Sequence, residues 1–213
     1  MPRLADFDAR LAALAVAQHG AFTRAQATQA GLSADQVDRR AAAGAWVRVL
    51  PRVYRHAATP ATVLLMHSAA ILWAGRGTAL SHTSAAALWR LDGVRVAAPE
   101  LIVPMQRGPS APGVVVHRVR HVGADEIVAI AGLAVTTPVR TLVDLASVVD
   151  DHTLRRAAES AIARRLVTGP AVLAWLERAG SAGRPGVRRL RRVLGSIAAV
   201  GSGPVRASAR LVG

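Results

Sequence analysis

Three glycines, Gly20, Gly31 and Gly44, divide the start of the chain into pieces that fit one small motif. Glycine ends helices readily because it enters the left-handed backbone region without a Cβ penalty. Ahead of Gly20, Leu4, Phe7, Leu11 and Leu14 recur at helical spacing, which predicts an amphipathic helix over residues 4–18 stopped by His19-Gly20. Thr23 then caps a short helix over about 24–30, and Ser33 caps a third over about 34–43 that ends at Gly44. Two helices joined by a three-residue turn containing glycine are the layout of a helix-turn-helix. Residues 46–55, Trp-Val-Arg-Val-Leu-Pro-Arg-Val-Tyr-Arg, alternate about a tight Leu50-Pro51-Arg52 turn and predict a β-hairpin, or wing.

The faces of this module point to duplex DNA. At about 100° per residue, Ala34, Val37, Ala41 and Gly44 share the inward side of the third helix. Asp35, Gln36 and Arg39 point away, with Arg40 on the flank. Gln and Arg form bidentate pairs with adenine and guanine edges in the major groove, so Gln36, Arg39 and Arg40 are the candidate base readers. Arg48, Arg52 and Arg55 project from the hairpin and are candidate phosphate contacts. Thr23, Arg24 and Ser33, at the helix starts, complete the candidate set. Asp35 and Asp38 suit a helix N-terminus but repel phosphates.

Beyond the hairpin the pattern turns to α+β. A helix is expected from Pro60 to about Trp73, followed by the Gly75-Arg76-Gly77 turn and a short helix capped by Ser81 or Thr83. Three β-rich segments follow, Glu100 to Val103, Val114 to Val119, and Glu126 to Val135 with a break at Gly132. Gly-Pro clusters between the first two suggest a hairpin or meander, hence a small antiparallel sheet. Thr137 caps a helix with Pro138 at its first position, and further helices run over about 152–166 and 170–179. Asp144 is expected to pair with Arg140 one helical turn back. Residues 187–194 form a basic amphipathic helix whose apolar stripe is Val187, Leu190, Val193 and Leu194. Arg188, Arg189, Arg191 and Arg192, with Arg184 just before, are either a second basic surface or a solvated face. The expected division is a winged helix-turn-helix over 1–58, an α+β domain with C-terminal helices over 59–200, and a loose tail over 201–213.

Charge supports an acidic partner. The formal net charge is +14 and every basic residue is an arginine, which nucleic acid binding or a GC-rich genome's composition would each produce. Residues 1–60 carry a net +4, 61–150 a net +1 and 151–213 a net +9, a division that uniform bias explains poorly. Aromatic residues make up only 3%, which disfavours single-strand recognition by stacking. There is no cysteine, hence no disulfide or thiolate metal site. No signal-peptide layout or membrane-length apolar run occurs, so a cytoplasmic location is expected. No HExxH motif, phosphate loop or nucleophile elbow is present. The expectation is a protein that is not an enzyme, with no catalytic residue, no cofactor and no metal. His82 is a capping or core-polar residue, with a site role as the alternative.

Several segments together resemble the AbiEi-like antitoxins of type IV toxin–antitoxin systems in their actinobacterial form. They are Gly44-Ala45-Trp46-Val47-Arg48-Val49 with Val53-Tyr54, the run from Leu80 to Leu91 (Leu-Ser-His-Thr-Ser-Ala-Ala-Ala-Leu-Trp-Arg-Leu), the run from Thr137 to Ala146 (Thr-Pro-Val-Arg-Thr-Leu-Val-Asp-Leu-Ala), and Gly183-Arg184-Pro185-Gly186. The resemblance implies an N-terminal domain that binds its own operator and represses its operon. It implies a second, antitoxin-like domain that counters a nucleotidyltransferase-like toxin without a stable complex. A restriction-endonuclease-like domain often follows in this family and is not expected here, since a lysine-free chain cannot supply that nuclease's lysine. A homodimer fits this reading, and a ligand-responsive winged-helix transcription factor or a remnant of an endonuclease-like protein stand as alternatives to it.

Overall fold

The computed structural model describes residues 4–105, 110–120, 122–179 and 186–201. Its first elements are α1 (Leu4–Ala17), β1 (Ala21–Thr23), α2 (Arg24–Gln29), α3 (Ala34–Ala42), β2 (Trp46–Leu50) and β3 (Val53–His56). The three strands are antiparallel in the order β1-β3-β2, so the hairpin's second strand is central. This is the expected winged helix-turn-helix. Gly20, Gly31 and Gly44 all take positive φ, 95°, 112° and 71°, which is why the helices stop there.

The module has its own core of Leu11, Phe22, Ala27, Leu32, Val37, Trp46 and Tyr54. Phe22 and Trp46 meet edge to face with ring centroids 4.8 Å apart, a geometry worth roughly 0.5–1.5 kcal/mol beyond area burial. Of the side of α3 expected to face inward, Val37 is buried and Ala41 half-buried, whereas Ala34 and Gly44 are exposed. They lie at and just beyond the ends of a helix of nine residues, past the one turn that packs.

The next elements are α4 (Val63–Ala74), β4 (Ala79–Leu80), α5 (His82–Leu88), β5 (Glu100–Pro104), β6 (Val115–Val119), β7 (Ile127–Ile130) and β8 (Leu133–Thr136). α4 begins later than Pro60, because the Thr62 hydroxyl accepts from the Leu65 amide and sets the helix start there. The strands form a five-stranded sheet in the order β6-β5-β4-β8-β7. β7–β8 are antiparallel, as are β5 and the short strand β4, which the sequence does not suggest, but β5–β6 and β4–β8 run parallel, so this sheet is mixed. The Gly-Pro clusters therefore do not turn a hairpin. Parallel neighbours require the chain to return the whole strand length between them. The break at Gly132 is a true hairpin, with Ala131 and Gly132 at φ 49° and 76° between Ile130 and Leu133.

α4 is apolar nearly all round and buries Leu65, His67, Ala69 and Ala70. It packs on β1, β2 and β3 and also on β4, β5 and β8. Residues up to Trp89 and Arg95–Thr137 consequently form one compact unit, so packing is continuous across the division drawn at residue 58. The second unit comprises Arg90–Val94 and the chain from Pro138. Its helices are α6 (Pro138–Leu145), α7 (Asp151–Ala163), α8 (Gly169–Ala179) and α9 (Val187–Gly201). Leu142, Leu154, Leu176 and Leu190 lie fully buried in it. The expected pairing of Arg140 with Asp144 is present at 2.8 Å, with both side chains buried. No helix among the described residues is long and apolar enough to cross a membrane. Arg184 and residues 202–213 of the expected tail lie outside the described residues.

Candidate nucleic-acid interface

Two capping boxes build the helix-turn-helix. The Thr23 hydroxyl accepts from the Gln26 amide while the Gln26 side chain accepts from the Thr23 amide. Ser33 and Gln36 repeat the arrangement at the start of α3, with bonds of 2.8 and 3.2 Å. Each box satisfies two helix-end donors. Thr23, Ser33 and the Gln36 carbonyl oxygen are thus occupied in shaping the motif. The sequence reading of Thr23 and Ser33 as caps accounts for their geometry, and Gln36 reaches back toward the turn.

The arginines divide into two groups. Arg24 donates from both terminal nitrogens to Asp38, one of these bonds being 2.9 Å, and so joins α2 to α3. The hydrogen bonds and charge of Asp38 hold the Arg24 guanidinium above its usual range, and Arg24 in turn holds the Asp38 carboxyl below its own. Arg40 bonds to Asp8 on α1 at 3.1 Å and lies over the Trp46 ring at 5.5 Å, which ties α3 to α1 and the wing. Arg55 donates to the carbonyls of His56, Ala57 and Thr59 at 3.0, 2.9 and 2.6 Å and closes the turn after β3. Arg24, Arg40 and Arg55, three of the sequence candidates, therefore spend their donors inside the module.

The side chains of Arg39, Arg48 and Arg52 are exposed and make no hydrogen bond or ion pair among the described residues. Arg39 stands on α3, Arg48 on β2 opposite Tyr54, and Arg52 at the hairpin turn with φ 63°. The Arg52 carbonyl accepts from the Arg24 amide at 2.8 Å, which fixes the wing tip against the start of α2. The repulsion expected from Asp38 is offset by Arg24 and by the nearby charge of Arg48. That compensation joins residues 14 positions apart in sequence, and no local spacing signals it. Asp35 remains exposed in the first turn of α3.

The second basic segment behaves similarly. Val187, Leu190, Val193 and Leu194 are buried as the stripe predicts. Arg189 pairs with Asp151 at 2.6 Å and donates to the carbonyls of Ala146 and Val149, and Arg192 takes the other Asp151 oxygen at 3.0 Å. These two arginines clamp α9 to the start of α7 and the end of α6. Arg188 and Arg191 are exposed.

Residues 9–55 match the family described as "Transcriptional regulator, AbiEi antitoxin". No curated protein matches the chain. Among solved structures, the chain is similar to the RV2827C protein from Mycobacterium tuberculosis, at 20% identity and a TM-score of 0.58. That likeness covers 92% of this chain and 78% of the other, and it is a likeness of fold. The matched segment contains all of α2, α3 and β2 and nearly all of β3, the elements that carry the three open arginines. Residues 9–55 are thus similar to the AbiEi antitoxin family of transcriptional regulators.

Proposed function

We propose that the chain acts by binding rather than catalysis, as an autoregulator that holds its own operator DNA through the winged helix-turn-helix. The observation that carries this reading is the trio Arg39, Arg48 and Arg52, exposed on the third helix and the wing while neighbouring arginines are consumed by the fold. Arg39 reads base edges in the major groove, and Arg48 and Arg52 hold phosphates. The type IV antitoxin role, countering a nucleotidyltransferase-like toxin without a stable complex, rests on the AbiEi-type match of residues 9–55. A homodimer would present the same surface to two half-sites.

The test is binding of the purified chain to its own upstream DNA and to a scrambled duplex across a salt series. Each phosphate contact contributes about 0.9 to the slope of log affinity against log salt. Arg48→Ala and Arg52→Ala should each flatten the slope by about that amount and weaken both duplexes alike. Arg39→Ala should cost about 1–3 kcal/mol on the upstream site and little on the scrambled one. Equal, weak binding to both duplexes by the unaltered chain would reject the operator reading.

A further inference from the structure

Away from the winged module, three side chains from separate elements converge at one end of the five-stranded sheet. His82 is the first residue of α5, Glu100 the first of β5, and His117 lies on β6, the edge strand. Glu100 pairs in register with Val115 and Ile102 with His117, so Glu100 and His117 emerge on the same face of neighbouring parallel strands. His117 Nε2 lies 2.9 Å from one Glu100 oxygen, and the Thr83 hydroxyl donates to the other. The His82 ring stacks on the His117 ring with centroids 3.5 Å apart and planes 17° apart. His82 Nδ1 lies 2.8 Å from the Ser81 hydroxyl, which orients the ring. The Glu100 amide donates to the Ser84 hydroxyl at 2.9 Å, and its carbonyl accepts from the Ser81 amide at 3.0 Å. The start of α5 and the start of β5 are thereby fastened together around the cluster.

We propose that His82, Glu100 and His117 form a site for a single divalent transition-metal ion of the zinc class. One candidate ligand atom from each residue lies within 4.8 Å of the others. Tetrahedral ligands about 2.0–2.2 Å from zinc sit roughly 3.4 Å apart, so closure needs a small contraction and a turn of one stacked ring that aims its in-plane lone pair at the ion. His117, half-buried on an edge strand, can supply both by side-chain rotation. Two imidazoles and one carboxylate are a donor set that zinc accepts, and three protein ligands leave a fourth position open. The surrounding hydroxyls match what a metal site requires of its supporting groups: Ser81 sets the His82 ring and Thr83 holds the carboxylate oxygen. His82 is buried and takes φ 48°, a left-handed conformation that is costly for a residue with a side chain. Such strain persists where the surroundings over-determine it, and here it turns the imidazole onto His117. Binding replaces the His117–Glu100 hydrogen bond with two metal bonds, Nε2 becoming the ligand atom and the neutral ring carrying its proton on Nδ1. The ion would pin the edge strand β6 to β5 and α5.

The full chain, stripped with a chelator and dialysed, is titrated with Zn²⁺ alone by calorimetry and with Co²⁺ followed by absorption. The expected result is one ion per chain and a Co²⁺ spectrum of four- or five-coordinate nitrogen and oxygen ligation. His117→Ala and Glu100→Gln should each weaken binding at least ~10-fold, and Thr83→Ala by about 10- to 100-fold. His152→Ala, an exposed histidine on α7, should leave it unchanged. Circular dichroism confirms that each variant is folded, and the Co²⁺ spectrum of the unaltered chain stands even if one is not. Absence of saturable one-to-one binding, a spectrum of a fully hydrated ion, or equal binding by the folded His117 and Glu100 variants would overturn the assignment.

Discussion

His67 sits in the middle of α4, only 1% exposed, and neither ring nitrogen has a hydrogen-bond partner among the described residues. Burial pushes its pKa below the ordinary histidine value of 6.5. A buried polar group left unsatisfied costs about 1–3 kcal/mol. Leucine is close in volume and carries no polar atom, so His67→Leu should stabilise the protein by about 1–3 kcal/mol at pH 7.5, less any repacking strain. The gain should also depend on pH. Above about pH 6.5 the imidazole is neutral in both folded and unfolded chains. As pH falls below that, the unfolded chain takes up a proton that the folded chain resists, and the native state loses stability. The loss is at most about 1.4 kcal/mol per pH unit until the folded group itself protonates. The variant lacks this loss, so its advantage should widen on acidification. Urea unfolding of both chains at pH 7.5 and pH 5.0 measures this directly, because titrations common to the two cancel in the difference. A variant less stable than the parent at both pH values, or a difference that does not change between them, would refute the reasoning.

Three other outcomes follow from named contacts. Asp38→Asn should release the Arg24 guanidinium and remove a negative charge from the third helix, steepening the salt slope of DNA binding by up to about 0.9; an unchanged slope in the same titration would show that Arg24 cannot reach a phosphate. Arg140→Ala removes the charge partner of the buried Asp144 carboxylate and should cost about 3–5 kcal/mol in chemical unfolding, whereas loss of the exposed Arg155–Glu159 pair through Arg155→Ala should be far milder. Gly186 has φ 94°, and a Cβ there would meet the Ala146 carbonyl carbon at 2.8 Å and the Ser147 amide at 2.9 Å. Gly186→Ala should therefore lower the melting temperature by several degrees, and a melting curve that overlays the parent's would contradict this packing.

Much of the architecture was legible because it is written in local terms. The stops at Gly20, Gly31 and Gly44, the caps at Thr23 and Ser33, the hairpin about Pro51-Arg52 and the stripe Val187-Leu190-Val193-Leu194 depend on spacings of one to four residues, the range over which helices and turns interact. The Arg140–Asp144 pair was legible for the same reason, being one helical turn. The mixed sheet was not, since a Gly-Pro-rich loop reads alike whether it reverses the strand or returns it parallel. The fate of the arginines was not either. Arg24, Arg40, Arg189 and Arg48 share one chemistry in the sequence, and only distant partners separate them: Asp38, Asp8 and Asp151 for the first three, and for the Arg48 side chain no hydrogen-bonding partner among the described residues. His82, Glu100 and His117 meet for the same kind of reason. They lie 17 or more positions apart, and their convergence is decided by strand register and by how α5 packs on β5, which no local spacing encodes.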